Sequence, residues 1–247
     1  GLMGRGAHGW TGQDGPAPFS ARSLELLGWI GVDNEKLIQV ETDATGLEVA
    51  DRFSGGNILK IPLRMAGTSN LSATQEYLLL EQVTRSSSFY RRNIPGEGLL
   101  IWHIRPQSGG NGDETNKAMD LICADGLYAD SGFPKGRLPD GRFGRDNLDY
   151  WAHDVAYKRA NGGNLGDATD PFDGVRAKRL DQFSNPSNNP WGLSSAATTG
   201  LSLDMRSRGD NMIVDIIQPR WAGVINEQVH WAGDVVVDGD VRVATEG

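Results

Sequence analysis

Cysteine is almost missing from this sequence: Cys123 stands alone. A single thiol excludes an internal disulfide framework and a thiolate zinc cluster. Cys123 lies in the apolar run Met119-Asp120-Leu121-Ile122-Cys123-Ala124, where it reads as a small buried hydrophobe. Histidine is scarce as well, with His8, His103, His153 and His230 only. No two of them share the i, i+4 spacing that places two imidazoles on one helix face, and none sits in an H-E-x-x-H frame. The chain therefore carries no zinc-hydrolase helix of its own. His103 falls in an apolar strand and reads as a hydrogen-bonded structural histidine, and His8 as a surface loop residue. His153 and His230 show only loop or strand polarity. No apolar run approaches the ~18 residues that a membrane-spanning helix requires, and no signal-peptide pattern opens the chain. A block of Lys and Arg is lacking too. With a formal net charge of -8, a phosphate-backbone partner is excluded, because nucleic-acid binding rests on a basic face that displaces counterions. Seven tryptophans fall at no repeating interval, so they indicate core anchors rather than a stacking platform.

Aspartate is abundant instead. It outnumbers glutamate 22 to 10, and 11 of the 22 lie between Asp113 and Asp173. The surrounding stretch, 111–189, replaces aliphatic residues with Gly, Asp and Asn and predicts a long irregular connection, which is usually functional or ion-bound when it is ordered. Within it, the segment from Gly162 to Gly174 offers Asn164, Asp167, Asp170 and Asp173 as oxygen ligands within ten residues. Hard cations such as calcium take several such ligands, together with backbone carbonyls from glycine-rich turns. The spacing fits neither an EF-hand nor the Gly-Gly-x-Gly-x-Asp repeat. Two readings stand side by side: a calcium loop, or Asp and Asn side chains that cap their own turns.

The remainder reads as an α+β chain that is mostly β. Ser20 is a suitable N-cap for a short helix through Leu24 and Leu27, Gly28 is the stop, and Trp29-Ile30 are placed to lock the helix end onto a core. Alternation predicts strands over Leu37–Glu41, Gly46–Val49, Ile58–Leu63 and Gln75–Thr84, with a turn at Gly55-Gly56. Gly98–Ile104 is the most apolar strand and is expected at the centre of its sheet. Met119–Ala124 is another, and Leu201–Met205 with Met212–Ile217 predict a hairpin turned at Arg208-Gly209-Asp210. No long helices separate these segments, so an antiparallel or mixed sheet is expected. Glu76 and Glu81 are expected to face solvent or to pair with arginines, and Glu97, between two glycines, to serve a turn or strand edge. Pro219 marks a change of texture. Residues 1–218 form one unit, and 219–247 a linker and the start of a β-rich module. There Val235–Val243 is either a hairpin or the first rung of a parallel β-helix.

Five segments, taken in order, resemble the immune inhibitor A family of secreted zinc metallopeptidases, which have the metzincin plan. They are Gly1-Leu2-Met3-Gly4-Arg5-Gly6 with the following Ala7-His8-Gly9-Trp10; Phe19-Ser20-Ala21 through Leu27-Gly28-Trp29-Ile30; Pro95-Gly96-Glu97-Gly98-Leu99-Leu100-Ile101-Trp102-His103-Ile104; Cys123-Ala124-Asp125-Gly126; and Gly163-Asn164 with Gly166-Asp167 and Asp170-Pro171-Phe172-Asp173-Gly174. The third is the most specific. Asp173 stands where the family has proline. The resemblance covers roughly residues 1–218. It implies that this chain is the C-terminal part of a metzincin-like peptidase domain, lying just after the zinc helix. It also implies that Met3 is the Met-turn methionine packed beneath the metal, and that the zinc ligands precede Gly1. The expected activity of the parent is zinc-assisted hydrolysis of internal bonds of a peptide or protein substrate outside the cell, with calcium as the second ion considered and no activity expected of this piece alone. The alternative is a non-catalytic extracellular binding or adhesion protein that kept the scaffold and added β-helical repeats. A third is a β-sheet carbohydrate-binding module.

Overall fold

The computed structural model describes residues 15–64, 73–106, 118–124, 168–184, 186–188 and 199–218. Within them lie one α-helix, α1 (Ala21–Leu26), and nine strands: β1 (Leu37–Gln39), β2 (Ala44–Val49), β3 (Ile58–Arg64), β4 (Ala73–Val83), β5 (Gly98–Ile104), β6 (Met119–Ile122), β7 (Arg179–Leu180), β8 (Ser202–Arg208) and β9 (Asn211–Ile217). The described part is mostly β, as expected. A five-stranded mixed sheet has the order β1-β3-β4-β5-β6, with β1 parallel to β3 and the other pairs antiparallel. A four-stranded antiparallel sheet has the order β2-β9-β8-β7. The segment expected to be central, β5, is an interior strand, but the middle of its sheet is β4.

Side-chain alternation divides the five-stranded sheet between two cores. Leu59, Ile61 and Leu63 of β3, Leu78 and Leu80 of β4, and Leu99 and Ile101 of β5 pack against Leu203, Met205, Met212, Val214 and Ile216 of the other sheet. The opposite face, with Tyr77, Leu79, Leu100, Trp102 and Ile104, is covered by Ala21, Leu24 and Ile30. Both faces of β5 are therefore closed, and all seven of its residues are buried. That double burial is why Gly98–Ile104 is written as an almost continuous apolar run instead of an alternating one. Pro62 is tolerated in β3 for a related reason. The backbone of Lys60 points toward the β1 side, where its carbonyl accepts from Val40 N at 2.9 Å, so Pro62, two residues on, points its missing N–H the same way, past the last β1 pair at Gln39↔Lys60.

The helix begins and ends as its residues dictate. The Ser20 hydroxyl accepts from Ser23 N at 3.3 Å, and Gly28 takes φ +67° at the far end. Trp29 N donates to Leu24 O at 2.9 Å and Gly28 N to Glu25 O at 3.0 Å, the paired closure that a left-handed glycine permits. Ile30 does lock this end into the core, but Trp29 does not: it is 60% exposed and meets Phe19 edge-on at 5.6 Å. Polar contacts hold α1 to the sheet as well. Glu25 accepts from Lys60 Nζ at 2.7 Å and from the Tyr77 hydroxyl at 2.6 Å. Partial burial tends to raise the Glu25 pKa, but the bonds from Lys60, Tyr77 and Arg22 outweigh it and hold the carboxyl below its ordinary value. Burial and the adjacent Glu25 carboxylate both push the Tyr77 phenol up.

The β8–β9 hairpin turns where expected. Arg208 pairs with Asn211, and Gly209 at φ +62° occupies the first turn position, where a side chain would be strained.

Candidate functional site

Three segments far apart in the sequence meet at the start of β5. Gly98 has φ +143°, and a Cβ built there would lie 2.5 Å from the Phe172 carbonyl oxygen. At Gly96 a Cβ would come within 2.9 Å of Pro171 Cδ. Both glycines are thus required for close approach, and Gly98 also for its backbone conformation. Their absent side chains let Leu99 N donate to Phe172 O at 2.9 Å and Phe172 N to Leu99 O at 3.0 Å, a one-residue antiparallel bridge. The third segment joins through Ala124 N, which donates to Asp170 O at 2.8 Å. Phe172 is 1% exposed and fills the core between the sheets. Pro95–Ile104, Cys123–Ala124 and Asp170–Gly174 therefore form one clip.

Of the residues singled out for a metal, Met3, Asn164 and Asp167 lie outside the described residues, as do His8, His153, His230 and the 219–247 module. Asp170 and Asp173 are described. Asp170 is buried within the clip. Asp173 organises the turn that follows it: its Oδ1 accepts from the backbone N–H groups of Val175 at 2.9 Å, Arg176 at 2.8 Å and Ala177 at 3.0 Å. Its Oδ2 accepts from Arg176 Nε at 2.8 Å. In this arrangement Asp173 caps its own turn, and a cation approaching Oδ2 would have to displace a guanidinium. Gly174, at φ +69°, sits where a Cβ would fall 2.5 Å from Ser207 N, so the turn packs directly on β8.

The charge state of Asp173 follows from these contacts. Partial burial works to raise its pKa, but the Arg176 guanidinium and the three N–H donors prevail and hold it below the usual carboxylate range. Asp181 is treated the same way: burial opposes, and Arg179 with the N–H groups of Phe183 and Ser184 lowers. A depressed folded pKa contributes stability that is present above the unfolded value, about 3.9 for aspartate, and is lost as pH falls through the folded one. We expect the protection factors of the Val175, Arg176 and Ala177 amides to hold from pH 7 to about pH 4 and to drop below it. In Asp173→Asn the drop should vanish. Protection that persists unchanged far below the aspartate range would show that the carboxylate is not what holds this turn.

His103 belongs to a second polar cluster, on the inter-sheet face at the end of β4 and β5. Its ring is almost completely buried, with Nε2 2.7 Å from Glu76 Oε2, and Arg105 Nε reaches Glu76 Oε1 at 3.1 Å. Asp120 lies directly opposite His103 in the register of β5 and β6. The histidine is buried and hydrogen-bonded, in keeping with its apolar strand. Glu76 pairs with an arginine, also as expected, but its link to His103 spans 27 residues and arises only from strand pairing. Glu97 serves the strand edge, accepting from Arg85 N at 2.6 Å. Glu81 departs from the solvent-facing option: it is 2% exposed and bound by two arginines.

Among the described residues no group of three or more His, Cys, Asp or Glu side chains could hold a metal ion. No helix there is long and apolar enough to cross a membrane. Comparison with protein-family models, with curated proteins and with solved structures finds no match to the chain.

Proposed function

We propose that this chain is the C-terminal portion of the catalytic domain of a secreted zinc metalloendopeptidase of the immune inhibitor A kind. The observation that carries the reading is the clip. The described parts of three of the five segments on which the resemblance rests, read separately along the sequence, lie together in space, and the two glycines of Pro95-Gly96-Glu97-Gly98 permit the close approach. A fourth, the Phe19–Ile30 segment that contains α1, covers the other face of the same sheet. A shared set of motifs that interlock is better explained by a common scaffold than by chance turn residues.

In this reading the metal-binding histidines and the catalytic glutamate precede Gly1, and zinc bound there supplies Lewis-acid activation of water. The part of this chain is to build the sheet and the wall beneath the cleft, with Met3 as the packed floor under the metal. The full-length protein, including the residues before Gly1, is expected to cleave an unfolded protein such as casein at internal bonds. A zinc chelator should stop cleavage and added zinc restore it. A full-length protein without H-E-x-x-H, or one whose cleavage ignores chelation, would reject the reading in favour of a binding scaffold.

Calcium at Asn164, Asp167, Asp170 and Asp173 is part of the same proposal, with Arg176 displaced from Asp173 Oδ2. At a hundredfold excess over Kd, binding to the folded state alone contributes about 2.7 kcal/mol. For a chain of this size that raises Tm by on the order of 5–10 °C relative to chelator. Equal melting temperatures in calcium and in chelator would remove calcium from the account.

A further inference from the structure

We draw no further inference here: the strongest candidate, the exposed apolar patch of Leu26, Leu27, Trp29 and Val32 at the C-terminal end of α1, is an unpartnered face, and nothing in the structure shows what covers it.

Discussion

Arg91→Ala is expected to destabilise the protein by about 3–5 kcal/mol, the cost of stranding a buried charge. Arg91 is 4% exposed and stands between two carboxylates that are each 2% exposed. Its Nη1 donates to Asp51 Oδ2 at 2.6 Å and its Nη2 to Glu81 Oε1 at 2.6 Å. A further bond from Nη1 reaches the Gln82 carbonyl at 3.2 Å. Glu81 keeps a second cation when Arg91 is removed, because Arg52 Nε lies 3.1 Å away. Asp51 keeps only neutral donors: Phe53 N on Oδ1 and Thr84 N on Oδ2, each at 2.9 Å, and the Thr84 hydroxyl on Oδ2 at 3.5 Å. The loss therefore falls mainly on Asp51.

That asymmetry makes the prediction specific. Asp51→Asn added to Arg91→Ala removes the stranded charge and should recover a large share of the loss, whereas Glu81→Gln should recover less, since Arg52 already compensates Glu81. Arg91→Lys should recover part only, because a compact ammonium does not span two carboxylates as a planar guanidinium does. Urea unfolding reads all four variants, with a lowered midpoint at constant slope as the expected form. A loss below about 1 kcal/mol, the value of an exposed ion pair, would mean that water reaches the cluster and that its burial does not hold in solution.

The same cluster shows where sequence reading stops. Local chemistry was legible: Ser20 as cap, Gly28 as stop, the hairpin turn at Gly209-Asp210 and the apolar strand Gly98–Ile104 are each set by a few neighbouring residues. Pairing was not. The parallel β1–β3 contact and the division of strands between two sheets depend on partners far along the chain, and strand periodicity is silent about partners. Glu81 illustrates the consequence. Its neighbours Tyr77, Leu79 and Val83 share its face and are buried, yet only the arrival of Arg91 from the following loop and Arg52 from an earlier one makes a carboxylate acceptable there. Trp29 fails in the opposite direction. A large apolar residue after a helix stop is a reasonable anchor, but Ile30 already fills that place and the indole is left outside. For the metal residues, Met3, Asn164 and Asp167 fall outside the described part. Of the two options weighed for Asp173, its described contacts are those of a turn cap.

The clip yields the other large effect. Gly98→Ala is expected to cost about 1–3 kcal/mol from backbone strain alone, because φ +143° is foreign to a residue with a Cβ and the obstructing atom is the Phe172 carbonyl oxygen, which belongs to the backbone and not to a yielding side chain. The chain has two ways to respond. If the 170–174 segment stays in place, the strain is the whole cost. If it moves away, the Leu99–Phe172 bridge opens, and Phe172 leaves a core in which truncating a buried phenylalanine costs about 3–5 kcal/mol. We expect the second response, since the two bridge bonds are the only described backbone links between β5 and this segment. In that case Phe172→Ala and Gly98→Ala remove the same contact, and the double variant loses clearly less than the sum of the two. Strictly additive losses would show that Gly98 and Phe172 are energetically independent, and the convergence of motifs on which the functional reading rests would then lack an energetic basis.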